Sequence, residues 1–243
     1  KRPGKTFFWH GRYADDFSSR TSLLTELGVF GDFDPIVPEA FRSVPFLFLA
    51  NIAPALQLKV LDQVKNPQFV GMDTMDFWIN GSRDALNKVL RRVDAVFIND
   101  EESQLLTGHQ NVCKAARDLQ AMGPDTVVIK RGEHGAIMFS NQDIFYCPAY
   151  PLESVKDPTG AGDSFAGGFM GYLAETRDAR TANLRRAAAV QGAVFFSLAA
   201  PHAGTILQSY IGSDYFVEHI DYLRVVDQNA RRPTRHIPVL RRQ

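Results

Sequence analysis

Asp157-Pro158-Thr159-Gly160-Ala161-Gly162-Asp163-Ser164-Phe165-Ala166-Gly167-Gly168-Phe169 is the stretch on which the reading of this 243-residue chain turns. It stands after a strand-like region and opens a helix. Gly160, Ala161 and Gly162 carry little or no side chain, so a ligand can approach the main chain while the N–H groups of a first helical turn point outward. The helix dipole adds partial positive charge at the same place, which suits an anion such as a phosphoryl group in flight. Asp163 lies in that turn, where it can accept a proton from a hydroxyl held against the anion hole. Positioning of this kind is most of what phosphoryl transfer asks of a protein. Taken alone, the string has a plainer explanation: an aspartate capping a helix, and glycines that permit tight packing.

Working outward, the chain alternates. Phe46 to Ala50 is a short apolar run expected as a buried strand, followed by a helix from Pro54 to Val64 that begins with proline. Phe69 to Asp73, Ala95 to Ile98 and Thr126 to Lys130 are further expected strands, separated by helices over Ser82 to Arg91 and Asn111 to Met122. Ala136 to Phe139 and Ile144 to Cys147 flank a turn-forming cluster and predict an antiparallel hairpin. Helices are expected from Gly160 to Ala174 and from Thr181 to Ser197, the second with Leu184, Ala188, Gln191 and Phe195 on one side. This pattern predicts an α/β fold, with a doubly wound, largely parallel sheet flanked by helices. Thr6 to His10 reads as an opening strand. Gly31 to Pro38 reads as the connector between a strand region over 1–30 and the α/β domain over 31–243.

Composition excludes several classes. Lys plus Arg and Asp plus Glu are both 27, so no net field recruits nucleic acid or an acidic membrane. The arginines at 224, 231, 232, 235, 241 and 242 read as a solvated terminus. Cys113 and Cys147 are too few for a disulfide framework and favour a reducing compartment, with the cytoplasm as the expected location. No apolar run approaches the roughly 18 residues of a membrane span, and no histidine pair has zinc-ligand spacing.

The string from Asp157 to Phe169 resembles the C-terminal signature of the ribokinase-like, or PfkB, family of carbohydrate and nucleoside kinases: Asp-x-x-Gly-Ala-Gly-Asp-x-Phe followed by small residues. The resemblance implies that Asp163 is the catalytic base, that the amides of Gly160, Ala161 and Gly162 form the anion hole, and that ATP and Mg²⁺ are used. It also implies a monovalent-cation (K⁺) site near the carbonyls of Asp157 and Thr159. Asn99-Asp100-Glu101-Glu102 resembles the family's Asn-x-x-Glu motif, which places Asn99 near the phosphates and lets Glu102 hold a magnesium-bound water. Outside the resemblance, the same four residues read as an ordinary helix cap. Lys130-Arg131-Gly132-Glu133-His134-Gly135 resembles the segment whose main chain lies along the nucleotide. Gly132 and Gly135 are the residues compared there, and Lys130 is an ATP-side candidate where relatives often carry a small hydroxyl residue.

The family usually begins with a strand, a Gly-Gly substrate segment and a helix ahead of a β-strand lid, and none of these precedes Lys1. The expectation is therefore a chain that starts inside a partial lid, with Phe8 and His10 as substrate-facing candidates and lid strands that pair two subunits into a homodimer. A dinucleotide-binding oxidoreductase is disfavoured because position 165 is Phe where Gly-x-Gly-x-x-Gly needs glycine, and no P-loop string occurs. The resulting expectation is transfer of the γ-phosphoryl group of ATP to a hydroxyl of a small sugar or sugar-like molecule. The alternatives are a nucleoside (adenosine-like) kinase and a non-catalytic binding protein with the kinase fold.

Overall fold

In the computed structural model the described residues are 3–14, 20–149, 153 and 159–198. Every described residue lies within one compact unit, Lys1–Ala200. β1 (Phe8–Tyr13) and β2 (Arg20–Glu26) pair antiparallel as a sheet of their own, with Phe8 opposite Glu26 and His10 opposite Leu24. β2 was not anticipated: its Arg-Thr-Ser start has no apolar alternation, and cross-strand pairing with β1 supplies the order that the local sequence lacks.

The main sheet then builds in chain order. β3 (Phe46–Leu49) leads through α1 (Pro54–Leu61) to β4 (Phe69–Asp73), and α2 (Asp76–Gly81) and α3 (Arg83–Leu90) lead on to β5 (Ala95–Asn99). α4 (Asp100–Thr107) and α5 (Val112–Ala121) carry the chain to β6 (Thr126–Lys130). β7 (Ala136–Ser140) and β8 (Asp143–Cys147) form the hairpin, and α6 (Ala161–Thr176) and α7 (Thr181–Leu198) follow. The strand order is β3-β4-β5-β6-β7-β8, parallel through β6 and antiparallel beyond it. Helix bounds move inward where caps take over: Asn111 does not begin α5 but accepts hydrogen bonds from Cys113 and Lys114 N–H. α2, six residues with one charge, has no sequence periodicity to announce it, whereas α4 is the helix that the cap reading of Asn99 to Glu102 allows.

Pleating assigns the two faces. Val70, Met72, Val96, Ile98, Val127 and Ile129 point to one side, where they pack with buried residues of α1, α3, α4 and α5. Phe97 points to the other side and meets Phe165 and Phe169 of α6 edge-on, at ring-centroid distances of 6.4 and 5.0 Å. Both faces are thus covered, which is why these strands read as continuous apolar runs.

One residue, through its side chain and its main chain, ties the opposite ends of β4, β5 and β6. Asp94 Oδ2 accepts from Val70 N–H at 2.7 Å, Asp94 N–H donates to Val70 O, and Asp94 O accepts from Thr126 N–H. Burial raises its carboxyl pKa above the ordinary 3.8, although the Val70 hydrogen bond works against that shift. Replacing Asp94 by Ala leaves the buried Val70 amide unpaired and is expected to lower unfolding free energy by about 1–3 kcal/mol, measured by urea denaturation at neutral pH.

Candidate active site

α6 carries four glycines (Gly162, Gly167, Gly168 and Gly171), each costing about 1 kcal/mol relative to alanine in a helix. Burial of Phe165, Phe169, Met170 and Leu173, at about 1.5–3 kcal/mol each, outweighs that cost and fixes the helix on the sheet. A side chain at Gly71 of β4 would press on Met170 Sδ, at 2.7 Å from an added Cβ, and one at Gly168 would overlap the Gln191 amide of α7. The small residues therefore let α6 approach its neighbours, and its first turn is held over the C-terminal edge of β4, β5 and β6.

That first turn is open. Gly160 caps it with φ +79°, a left-handed conformation that a side chain would strain, and an added Cβ there would meet nothing within 4 Å. Ser164 N–H donates to Gly160 O at 2.9 Å, and the amides ahead of it stand before the helical hydrogen-bond ladder begins. Asp163 projects from this turn and is exposed. The small residues and the carboxylate are therefore brought together as the sequence leads one to expect. Thr159 is exposed beside them, while Asp157 lies outside the described residues.

Lys130, at the end of β6, reaches the same place. An added Cβ on Gly162 would lie 2.9 Å from Lys130 Nζ, so the ammonium sits against the α6 turn. Its partner is Asp73 at the end of β4, with Nζ 3.3 Å from Oδ2 and 3.5 Å from Oδ1. Lys130 spans β5 to make this pair, because β5 lies between β4 and β6. The Asp73 side chain is 4% exposed and that of Lys130 16%. Burial raises the Asp73 carboxyl above its ordinary 3.8; Lys130 and the Thr74 amide hold it down, and the negative charge of Asp163 pushes it up. Asp73, Lys130 and Asp163 are thus within electrostatic reach of one another.

Asn99 and Glu102 form a reciprocal capping box on α4. Asn99 Oδ1 accepts from Glu102 N–H at 2.7 Å, and Glu102 Oε2 accepts from Asn99 N–H at 3.0 Å. The motif thus has the structural use its spacing allows, which also fixes both side chains at the edge where β5 ends, in register with Lys130. Gly132 and Gly135 bracket a short 3-10 turn, both at positive φ. Gly135 is required for packing, since a side chain would overlap Cys147 O, whereas Gly132 borders open space. Phe8 and His10 are exposed on β1, and no hydrogen bond or ring contact among the described residues ties them to the Asp163 group.

Asp73 was missed by sequence reasoning. It ends an apolar strand and belongs to no string with a chemical signature; the one available signal is a charged residue at the carboxyl end of a parallel strand, where α/β folds gather their sites. A shallow cavity bounded by Leu58, Asp62, Lys88, Arg91 and Arg92 lies by α1 and α3 and includes none of these residues.

Comparison with known proteins gives the family and the fold. Residues 39–197 match the pattern of the pfkB family carbohydrate kinases. A cytidine kinase of Thermococcus kodakarensis is 36% identical over 181 residues, covering 70% of this chain and 62% of that protein, so the chain spans under two thirds of this relative's length. Two solved structures share the fold. A probable sugar kinase from Rhizobium etli has TM-score 0.65 and 20% identity, covering 84% of this chain and 65% of its own. A nucleoside kinase from Methanocaldococcus jannaschii has TM-score 0.63 and 15% identity, covering 85% and 68%.

The Asp73 environment has a measurable consequence. An acid whose folded-state pKa is raised contributes stability that is fully present below its unfolded value, here 3.8, and lost as pH rises through the folded value. The stability of the wild-type chain relative to Asp73→Asn is therefore expected to fall as pH rises from 3.8 and then level off. Urea unfolding of both proteins across the acid-to-neutral range measures it, and a difference that does not change with pH would contradict the raised value.

Proposed function

The chain belongs to the pfkB family of carbohydrate kinases, and from that premise we propose that it transfers the γ-phosphoryl group of ATP to a hydroxyl of a small sugar or sugar-like molecule. One observation carries the reading: Asp163 stands exposed in the open first turn of α6, beside Gly160, Ala161 and Gly162, with the Lys130 ammonium against the same turn. In the proposed step the acceptor oxygen attacks the γ-phosphorus, the bond to the β,γ-bridging oxygen breaks, and ADP leaves. Asp163 takes the hydroxyl proton. Amides of the α6 turn face the oxygens over which charge spreads, and they are already in place before reaction.

ATP is read as lying along the edge where β5 and β6 end, with the main chain at Gly132 and Gly135 beside it and Asn99 near the phosphates. The open space at Gly132 supports this. Mg²⁺ supplies charge neutralisation at the phosphates. Glu102, held by its cap, would hold a water of the magnesium ion rather than the ion itself. Thr159, with Asp157, is carried as the monovalent-cation candidate, and Phe8 and His10 as acceptor-side candidates on a β1–β2 lid. Exposed Phe8, Leu23 and Leu24 on that sheet support pairing of two lids in a homodimer. Two cysteines in 243 residues, too few for a disulfide framework, support a reducing, cytoplasmic setting.

A nucleoside acceptor is the second reading, favoured by the 36% identity to a cytidine kinase. ADP release measured across a panel of sugars and nucleosides separates the two readings. Asp163→Asn is expected to lower kcat on the best acceptor by about 10²–10⁴-fold with little change in thermal stability. A variant that keeps most of the wild-type rate excludes Asp163 as the base.

A further inference from the structure

We propose that Asp73 is a positioning residue that holds the Lys130 ammonium against the open first turn of α6, making Lys130 the chain's own cation for the outermost phosphate of bound ATP. The inference rests on the kinase reading of this site and adds to it a cation and the group that aims it.

The geometry is that of a held but unsaturated charge. Charge-assisted N–H···O bonds close to about 2.7–2.9 Å when nothing else competes. The exposed Lys59–Asp34 pair does so, at 2.7 Å. Lys130 Nζ instead stands 3.3 and 3.5 Å from the two Asp73 oxygens, although this pair is far better shielded from water. The ammonium is displaced toward Gly162, where only a hydrogen in place of a side chain leaves it room. Three N–H donors on a flexible stem, one loosely shared carboxylate and a neighbouring turn of main-chain donors leave the ammonium able to add an anion without first losing its partner.

Charge balance gives the pair its purpose. Asp163 and Asp73 are both carboxylates close to the turn, and each repels an incoming phosphate. The Lys130 ammonium, reaching from the end of β6 across β5 toward Asp73, offsets one of those charges at the point where the phosphate must sit. Asp73 is fixed in turn: its Oδ1 accepts from Thr74 N–H at 2.8 Å, and its own carbonyl accepts from the amide of buried Gln57 at 3.1 Å. The carboxylate therefore acts as a rigid post, and the lysine is the movable part. The transferred proton goes to Asp163, and the Asp73–Lys130 pair acts by charge and position alone.

The test uses the full chain and four proteins: wild type, Asp73→Asn, Lys130→Met and Lys130→Arg. Calorimetric titration with Mg²⁺–ATPγS and with Mg²⁺–ADP reads the outermost phosphate directly and needs no turnover. Wild type is expected to bind ATPγS more tightly than ADP. Lys130→Met is expected to lose about tenfold or more of that preference, Asp73→Asn a smaller part, and Lys130→Arg to regain some of it. In the ADP-release assay both losses are expected in kcat, with the acceptor KM unchanged; a purely structural role would instead lower the unfolding midpoint and leave the ATPγS-to-ADP ratio intact. Ratios within twofold of wild type in both Lys130→Met and Asp73→Asn overturn the proposal while leaving the kinase reading standing. Should Asp73→Asn fail to fold, the Lys130 pair of variants decides by the same ratio. A wild type that releases no ADP with any acceptor refutes the kinase reading, and the binding ratio still decides the role of Lys130.

Discussion

Everything at the candidate site depends on where the first turn of α6 is held, and packing decides that. Phe97 of β5 meets Phe165 and Phe169 edge-on, while Gly71 of β4 makes room for Met170. A helix with four glycines has little intrinsic stability. It exists here because its apolar side is buried, and because the sheet fixes its position its N-terminus falls at the carboxyl edge of β4, β5 and β6. There the unpaired amides and the helix dipole add to whatever the strand ends carry.

Those strand ends carry charge in a patterned way. β4 ends in Asp73, β5 in Asn99 and β6 in Lys130, each the last residue of its strand. Asn99 caps α4 through Oδ1, and Asp73 and Lys130 pair across β5. A buried ion pair of this kind is weak ground for stability, because removing two charges from water costs several kcal/mol per ion, which their attraction only partly offsets. Its retention at an edge next to an open helical turn is better explained by what the charges do there than by what they add to the fold.

Legibility followed locality. The β–α alternation from Phe46 to Ser197 could be read because each strand is a short apolar run and each longer helix has an apolar face of the right period. The hairpin was legible from Ser140-Asn141-Gln142-Asp143, and Asn141 indeed adopts a left-handed conformation there. β2 was not, since its order comes from β1 across the chain; nor was α2, whose six residues give too little periodicity. Asn99 and Glu102 show the limit of a motif: the same spacing satisfies a capping box and a phosphate-edge role, and the geometry displays the first while leaving the second as a proposal.

From the sequence alone came the α/β class, the open turn at Gly160 to Asp163 and the family resemblance, because all three are written in residues close together along the chain. Tertiary structure alone decided that Asp73, 57 positions before Lys130, shares its ammonium, and that this ammonium lies against Gly162. A contact between the ends of two strands with a third strand between them has no trace in local spacing. It follows from strand order and from a lysine stem long enough to cross β5, and neither is fixed until the sheet has formed.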